Sequence, residues 1–476
     1  MRPANLHVIV PANKADPNLC KVLVSAGVLG YPSPVVINWD RTFDDPKLVS
    51  GGGHLYKISG VYEFLDHFDE SHQEDLVLMM DGYDVWMQLR PQTLVDRFFA
   101  INRRADARIK RDLGAVADTY NIHQEIVFGC QKRCWPWSEK DPPCYAVPQS
   151  SLVQDIYGPD TDTDVGNEVN PYIKNRQRFL NSGVAMGTVR AMRKLFNQTL
   201  EQIKVEANFG SDQYIFSHVF GDQEVYREML RRDALSPSER MRAKVSGWGS
   251  RSHFNPDHIE EVRAKAAKHY DGTFEFSVGV DYGSEIGLNT VFAEDDTVWA
   301  EFNNATQLKE AQEFRGIDAQ HQRMNTIQQD IADSVPPFWT YSNEKKLPRW
   351  KKWTDVPLFT DVYTGITPAI IHHNAHRDNM KKLRETWWPL VWYEKYVRTL
   401  YDAYIFSPVT PVAVSGYDES SVREWWPEEI WKGGARDGSS PVGQPEGWLR
   451  FDDLCRPHHE EVFRDGKGPW ELPENH

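Results

Sequence analysis

A short apolar segment followed by two aspartates constrains the fold of this chain more than any other feature. Residues Leu76 to Met80 are five apolar residues in a row, too few for a helix core of their own but typical of a strand buried on both faces of a parallel sheet. Asp81 follows directly and Asp84 comes three residues later. A strand that runs into a turn places both carboxylates at the carboxyl edge of the sheet, where open α/β folds bind ligands.

The two aspartates could share a bound metal ion. Two carboxylates held close together repel each other unless a cation or a proton lies between them. Hard oxygen ligands suit Mg²⁺, Mn²⁺ or Ca²⁺. The D-x-x-D spacing alone equally fits a helix-capping Asp81 and a solvated Asp84. The metal hypothesis therefore depends on further ligands elsewhere in the chain.

The charge balance argues against two classes of partner. The 476 residues include 54 Lys and Arg against 69 Asp and Glu, a net charge of −15. Such an acidic chain is a poor match for unspecific binding to nucleic acid or to an anionic membrane. No segment is long and apolar enough to cross a bilayer, so we expect no membrane span in this chain.

Sequons and cysteines bear on the compartment. The sequons at Asn197 and Asn304 are compatible with the secretory pathway, and no signal peptide is present. We therefore expect the ER or Golgi lumen, with the targeting segment absent from this chain. Cys130, Cys134 and Cys144 lie close together in a loop-like segment, where a zinc site would need a fourth ligand and a disulfide only two of the three. We favour a Cys134–Cys144 disulfide.

The first 130 residues have the pattern of the nucleotide-binding half of a doubly wound fold. The predicted elements are a strand at 6–10, a helix at 18–27, a strand at 34–39, a helix at about 53–67 and the strand at 76–80. The chain lacks the G-x-G-x-x-G of a dinucleotide site and the G-K-[ST] of a P-loop. The glycines at 51–53 could cradle a phosphate with their amides, or form only a flexible loop.

The rest of the chain adds insertions and a tail to this core. Polar stretches at about 222–270 and 308–355 are interpreted as insertions, and a further apolar strand ends at His372 and Asn374. Residues 406–476 form an extension packed on the core. The many tryptophans of the last hundred residues could line a sugar or peptide groove, but we expect them to pin the terminal segment to the domain.

Five short motifs occur in an order that resembles one enzyme family. They are Asp81-Gly82-Tyr83-Asp84, Cys134-Trp135-Pro136, Phe179-Leu180-Asn181-Ser182-Gly183, Asp212-Gln213 and Ile370-Ile371-His372-His373-Asn374. Together they resemble the glycosyltransferase domain of procollagen lysyl hydroxylase/glucosyltransferases and related collagen-type glycosyltransferases, over roughly residues 6 to 380. The resemblance implies a GT-A fold across residues 1–405, which is a Rossmann-like, mixed and mostly parallel sheet flanked by helices.

The resemblance also implies an activity. It implies Mn²⁺-dependent transfer, with Mg²⁺ as an alternative ion, of glucose or galactose from UDP-glucose or UDP-galactose to a hydroxyl of a protein or glycan. Residue by residue, Asp81, Asp84 and His372 match the family's metal ligands. Asn181 and Asp212 match catalytic positions that face the transferred sugar. The remaining matches in the donor site are Tyr83 against the uridine, Trp135 as a pocket aromatic, and Asn13, Lys57, Asn374 and the basic cluster 377–382.

The chain departs from the family pattern at two places. Gly210 and Ser211 precede Asp212 where animal members have an acidic run, and His373 and His376 replace small residues. The catalytic base, the hexose, the acceptor and the stereochemistry are therefore left open. Asp212 also fits an N-cap on a helix that begins at Gln213.

The expected chemistry requires these residue types. Cleavage of a sugar–phosphate bond builds negative charge on the departing diphosphate, which a metal ion stabilises as a Lewis acid. Two carboxylates and the imidazole of His372 form a mixed oxygen and nitrogen site that suits Mn²⁺ better than Ca²⁺. Asp212, on the other side, would orient a sugar hydroxyl or accept the proton of the acceptor.

Two alternative functions remain open at this point. A sugar-binding or nucleotide-sugar-binding protein could keep the fold without turnover. The triplet His376-Arg377-Asp378, with His458 or His459, could instead form a 2-His-1-carboxylate iron site of a 2-oxoglutarate oxygenase. Such oxygenases need a double-sheet jelly roll, whereas residues 380–401 have a helical pattern, so we rank this alternative last.

Overall fold

One large sheet organises the protein. The computed structural model describes residues 4–205, 210–236, 238–239, 254–341, 345–375, 382–442 and 444–472. These residues form an α/β protein with a large mixed, mostly parallel sheet flanked by helices, which confirms the predicted class. No helix in these ranges is long and apolar enough to span a membrane.

The elements are numbered in chain order. The strands are β1 Ala4–Pro11, β2 Val35–Ile37, β3 Leu76–Met80, β4 Val85–Met87, β5 Ile126–Gln131, β6 Phe179–Thr188, β7 Val278–Val280, β8 Gly287–Asn289, β9 Thr297–Ala300, β10 Leu358–Asp361, β11 Ile370–His372, β12 Ala413–Ser415, β13 Arg423–Pro427, β14 Gly434–Asp437 and β15 Trp448–Arg450. The α-helices are α1 Pro17–Leu29, α2 Gly53–Asp66, α3 Pro91–Leu113, α4 Ala115–Thr119, α5 Pro142–Tyr145, α6 Val189–Val205, α7 Asp212–Asp233, α8 Pro256–Lys268, α9 Ala305–Phe314, α10 Gln329–Ala332, α11 Leu383–Trp387, α12 Val397–Ile405, α13 Phe451–Cys455 and α14 His459–Phe463.

The strand order brings the ends of four strands to one edge. Neighbouring strands lie in the order β15-β14-β2-β1-β3-β6-β5-β8-β11-β4, with β12, β13 and β7 attached beside this path and β9 and β10 forming a separate pair. β6 is antiparallel to both β3 and β5, while β5, β8 and β11 are parallel to one another. β3, β5, β8 and β11 therefore share one direction, and we call the edge at which they end the carboxyl edge.

The apolar run of β3 is explained by two hydrophobic cores, one on each face of the sheet. Leu76, Leu78 and Met80 pack into the core formed with α1 and α3, and Val77 and Met79 pack into the core formed with α2, α6 and α7. Side chains of a strand alternate between faces, so a strand covered on both sides must be apolar at every position.

The C-terminal segment extends the sheet. β13 pairs with the first half of β1, and β14 pairs with β2. A Cys20–Cys455 disulfide ties this segment to α1. Trp388, Trp392 and Trp425 are buried, as expected for residues that pin the segment to the domain. The predicted Cys134–Cys144 disulfide is also present and Cys130 is free, so the two disulfides fit an oxidising compartment.

The two predicted insertions contain core elements. α7 runs without interruption past residue 222, and Val225, Met229 and Leu230 on it are buried. In the second stretch, Leu308 and Trp353 belong to the core on the α1 and α3 face.

Candidate metal centre

Asp81, Asp84 and His372 lie together at the carboxyl edge, although His372 is far from the aspartates in sequence. One ligand atom of each lies within 4.8 Å of the other two. Nε2 of His372 is 3.6 Å from Oδ2 of Asp81 and 3.6 Å from Oδ1 of Asp84. His372 is buried, whereas the side chains of Asp81 and Asp84 are 33% and 20% exposed. The group therefore has a buried wall and an open side.

The turn between β3 and β4 carries both aspartates and is tied to the end of β11. β4 pairs with β11 and sets Val85 opposite His372. The backbone N–H of His373 donates to the carbonyl oxygen of Asp84 at 2.6 Å. Two sheet contacts thus bring distant segments of the chain to one point.

Two glycines of the predicted motifs allow the close approach of neighbours. A Cβ on Gly183 would lie 2.0 Å from Cε1 of His372. A Cβ on Gly82 would lie 2.5 Å from the carbonyl oxygen of Pro11. Any larger residue at either position would displace the imidazole or the aspartate turn.

Asn289, at the end of β8, orients the imidazole. Its Nδ2 donates to the carbonyl oxygen of Cys130 at 2.8 Å, so its Oδ1 faces His372. Nδ1 of His372 lies 2.6 Å from that oxygen and must carry the proton, because an amide oxygen only accepts. The lone pair of Nε2 in the neutral ring then points toward the two aspartates, the arrangement of a metal-ligating histidine.

These residues fit a divalent metal ion. Three acceptor atoms that face one another repel unless a cation lies between them. Two ligands at about 2.1 Å from one small divalent ion lie about 3 to 4 Å apart, and the distances to Nε2 agree with this. The imidazole ligand favours Mn²⁺ over Mg²⁺ or Ca²⁺.

Lys57 links this group to Asp212. Its Nζ donates to Oδ1 of Asp81 at 2.6 Å and to the carbonyl oxygen of Ser182 at 2.9 Å, and lies 2.9 Å from Oδ2 of Asp212. Burial lowers the pKa of Lys57, but the charges of Asp212 and Asp81 outweigh it and raise that pKa. Burial raises the pKa of Asp212, but Lys57 outweighs it and holds that pKa below its usual value. Asp212 is therefore a buried, charged carboxylate.

Asp212 does not act as the cap that was considered from the sequence. α7 begins at Asp212 itself, and Ser211 occupies the N-cap position. The carboxylate pairs with Lys57 instead.

A cleft of about 520 Å³ opens beside the metal group. Its walls include Asp81, Asp84 and three predicted donor-site residues, Asn13, Lys57 and Tyr83. The hydroxyl of Tyr83 accepts the backbone N–H of Asn13 at 2.9 Å, which holds the half-buried ring in place.

The side chains of Asn13 and Lys57 form hydrogen bonds with other residues of the protein. The side chain of Asn13 accepts from the Tyr83 hydroxyl at 3.0 Å and donates to the carbonyl oxygen of Arg41 at 3.1 Å. The ammonium of Lys57 donates to Asp81 and Ser182 and forms an ion pair with Asp212. These contacts hold both side chains in the wall of the cleft, and a contact of either residue with the donor stays a prediction.

Sequence reasoning missed Asn289 and two residues of the cleft. Arg384 lines the cleft and donates to the carbonyl oxygen of Tyr83, and the exposed His54 also lines the cleft. Arg384 lies two residues after the predicted basic cluster 377–382, which was the available signal. Asn289 ends a three-residue strand as His372 does, but Gly287–Asn289 has one large apolar residue and therefore lacks the apolar run that precedes His372.

Asn181 lies in a buried amide network next to Asp212. Its Nδ2 donates to Oε1 of Gln131 at 2.9 Å and to Oε1 of Gln213 at 3.2 Å. Its Oδ1 accepts the N–H of Gly183 at 3.0 Å. The amide therefore braces the first turn of α7, and a contact with a sugar stays a prediction.

Trp135 contacts this network and Asn374 contacts Val291, and neither is among the described residues that line the cleft. The carbonyl oxygen of Trp135 accepts from Nε2 of Gln213 at 3.1 Å, and its indole is 40% exposed. Oδ1 of Asn374 accepts the N–H of Val291 at 3.0 Å. Their predicted roles stay predictions.

Parts of two predictions lie outside the described residues. These parts are positions 377–381 of the basic cluster and the His376-Arg377-Asp378 triplet of the oxygenase alternative. His459, the other candidate iron ligand, accepts the N–H of Trp470 at Nδ1. The large, mostly parallel sheet also differs from the jelly roll that such an iron site needs.

Comparisons with known proteins add no relative. No protein-family model matches the chain, and a search of curated proteins finds no significant match. The resemblance carried by the five motifs therefore stays a prediction.

Proposed function

We propose that this protein is a metal-dependent glycosyltransferase of the GT-A type that moves a hexose from a UDP-sugar to a hydroxyl acceptor. The observation that carries the proposal is the convergence of Asp81, Asp84 and His372, whose ligand atoms lie within 4.8 Å of one another beside an open cleft. The five-motif resemblance supports the same activity.

The cleft offers the groups that a nucleoside diphosphate needs. The ring of Tyr83 is held by its hydroxyl, so its face is available to stack on a uracil base. The guanidinium of Arg384 lies in the same cleft and matches the charge of a diphosphate. A divalent ion held by Asp81, Asp84 and His372 supplies Lewis-acid stabilisation of the leaving diphosphate when it is bound.

We assign the reaction at the hydroxyls to Asp212, a buried carboxylate that is not among the described residues lining the cleft. In the transfer, the acceptor oxygen forms a bond to the anomeric carbon, and the bond from that carbon to the phosphate oxygen breaks with its electron pair on UDP. The acceptor proton must leave, and Asp212 is a charged carboxylate in reach of the metal group through Lys57. We assign it either the acceptance of this proton or the orientation of a donor hydroxyl.

A thermal-shift panel of nucleotide sugars tests the proposal. We expect UDP-glucose or UDP-galactose to raise the melting temperature with Mn²⁺ present and to have no effect with EDTA. At a ligand concentration of 100 times Kd the stabilisation is about 2.7 kcal/mol. GDP-mannose, which carries guanine in place of uracil, is the control for recognition of the nucleotide base. Indifference to every UDP-sugar would remove the proposal.

Release of UDP separates an enzyme from a binding protein on the same fold. Slow hydrolysis of the donor by water, measured as UDP formed in the presence of Mn²⁺, needs no knowledge of the acceptor. Stabilisation by UDP-sugars with no UDP formed, even when candidate acceptors are added, would favour the non-catalytic alternative.

A further inference from the structure

A second cavity lies at the carboxyl edge, next to the first turn of α7. It has a volume of about 610 Å³ and lies between the segment that follows β5 and the segment that precedes β6. The first segment is closed into a loop by the Cys134–Cys144 disulfide. We call this space the loop cavity.

The loop cavity is connected to Asp212 by hydrogen bonds. Nε2 of Gln213 donates to the carbonyl oxygen of Trp135 at 3.1 Å, and Nε1 of Trp137 donates to the carbonyl oxygen of Tyr214 at 3.1 Å. Gln213 and Tyr214 directly follow Asp212 in α7. The wall of the loop cavity is therefore fixed to the turn that carries the proposed catalytic carboxylate.

Two arginines in the walls form no direct ion pair among the residues that the structure describes, although the charge of Asp162 acts on Arg178. Arg133 lies over the ring of Tyr172, and Arg178 lies over the ring of Phe179. Arg178 donates only to carbonyl oxygens, those of Val147 and Pro148. Burial lowers the pKa of Arg178, and the charge of Asp162 opposes this shift only in part.

The other charges of the loop cavity are either paired or solvated. Lys132 is neutralised by Asp296 at 2.7 Å, and Asp162 accepts from Nε of Arg176 at 2.8 Å. Asp164 and Glu139 are exposed at the rim. The half-buried arginines therefore remain as the cationic part of the interior.

The shape and chemistry of the loop cavity suit a sugar acid. A planar guanidinium recognises a carboxylate by two parallel hydrogen bonds. Trp137, Tyr145, Tyr172 and Phe179 line the loop cavity. Tyr214 covers one face of Trp137, and Arg133 and Arg178 lie over Tyr172 and Phe179, so the opposite faces and the ring edges are what can meet the C–H face of a pyranose. The volume is that of a pocket for a small ligand rather than of an extended groove for a polypeptide.

We propose that the loop cavity is the acceptor site and that it binds a hexuronic acid residue of a glycan, with Arg133 and Arg178 holding the carboxylate. This inference rests on the proposed glycosyltransferase function. It names the acceptor class that the five-motif resemblance leaves open.

Direct binding of two methyl glycosides tests the inference. Methyl glucuronide and methyl glucoside differ only in the carboxylate, and their affinities are compared by ligand-observed NMR titration. We expect the glucuronide to bind at least about tenfold more tightly, since a charge-assisted bidentate pair contributes this much. Arg133→Gln is expected to abolish the difference. Arg178→Lys, which keeps the charge and loses the fork, is expected to reduce it.

Controls separate this inference from the donor proposal. Arg111→Gln, at an exposed arginine of α3, is expected to leave the preference for the glucuronide unchanged. Stabilisation of Arg133→Gln by a UDP-sugar with Mn²⁺ should equal that of the wild type, which also shows that the variant is folded. Equal affinity for the two glycosides in a protein that still responds to UDP-sugars would overturn the acceptor inference alone.

Two other outcomes are also decisive. Preference for the glucuronide in a protein that ignores every UDP-sugar would leave a sugar-acid site and remove its role as the acceptor site. Tighter binding of an oligoglutamate peptide than of the glucuronide, lost in Arg133→Gln, would overturn the assignment to a glycan.

Discussion

Two buried lysines in this protein, Lys57 and Lys132, are each paired with aspartate, and they differ in what surrounds the pair. Lys57 lies 2.6 Å from Asp81, whose side chain is 33% exposed and opens into the cleft. Lys132 lies 2.7 Å from Asp296, and both side chains are inaccessible, at 0% and 1% exposed. We call them the open cluster and the sealed cluster.

The clusters also differ in how their oxygens are satisfied. In the sealed cluster, Asp296 accepts from the Tyr157 hydroxyl at 2.8 Å, and Asp361 nearby accepts two backbone N–H groups, those of Tyr363 and Thr364. In the open cluster, acceptor atoms of Asp81, Asp84 and His372 face one another. The same residue types thus serve packing where they are enclosed in the core, and can bind a cation where their acceptor atoms converge beside an open cleft.

Removal of each lysine should give the largest effects and the clearest contrast. Lys132→Met leaves a buried, unpaired Asp296 and is expected to lower the free energy of unfolding by about 3–5 kcal/mol. Lys57→Met should also destabilise, but Mn²⁺ should restore part of the loss because a cation beside Asp81 replaces the missing charge. The measurement is denaturant unfolding with and without Mn²⁺. Equal rescue of both variants, or of neither, would break the distinction between the clusters.

Removal of one aspartate from each cluster compares metal binding. Asp84→Asn removes a proposed ligand and is expected to weaken Mn²⁺ binding by at least about 100-fold. Mutation of a residue that only hydrogen-bonds to a metal ligand already lowers metal affinity by about 10- to 100-fold. Asp361→Asn, in the sealed cluster, should leave the affinity unchanged. Isothermal titration with Mn²⁺ measures both. An unchanged affinity in Asp84→Asn would mean that the three side chains do not form the site.

The sealed cluster should make stability depend on pH. Burial, together with the charge of Asp296, raises the pKa of Asp361 to about 7 in the folded protein, against about 4 in an unfolded chain. The folded state then keeps a proton that the unfolded state loses, so the contribution to stability is complete below about pH 4 and is lost as the pH rises to about 7. Asp361→Asn is therefore expected to be more stable than the wild type at pH 8, by about 1–3 kcal/mol.

The matching measurement is a series of unfolding curves from pH 4 to pH 8. The gain in Asp361→Asn should vanish near pH 4. Some pH dependence should remain in the variant, because burial and the charge of Glu285 raise the pKa of Asp281 to about 7 as well. A constant difference between variant and wild type at all pH values would contradict a protonated Asp361.

The sequence predicts the fold class and the carboxyl-edge residues better than it predicts their partners. The run Leu76–Met80 predicts a strand buried on both faces because local composition alone carries that information. Polar residues at strand ends, such as Asp81 and His372, can be recognised for the same reason. The structure brings these side chains together, as the pattern predicts for parallel strands.

Partners that depend on tertiary packing could not be predicted. Cys20 and Cys455 are 435 residues apart, and nothing local indicates that they meet. The sequence likewise does not show that Lys57 pairs with Asp81 and Asp212, because this pairing depends on how α2 and α7 pack on the sheet. Sequence patterns thus indicate which residues reach an edge, whereas the packing decides which of their atoms remain available.

Substitution of Asn289 should give the smallest effect of these variants. It tests most directly whether packing around a side chain decides which of its atoms can bind a metal ion. If its amide holds the proton of His372 on Nδ1, Asn289→Leu frees the ring to place a proton on Nε2, where it would oppose a cation. We expect Mn²⁺ affinity to fall by about tenfold. Asn170→Leu, at another buried asparagine, whose Nδ2 donates to the carbonyl oxygen of Phe292, is the matched control and should leave the affinity unchanged. A similar loss in both variants would assign the effect to general destabilisation, and no loss in Asn289→Leu would mean that the imidazole needs no partner to face the aspartates.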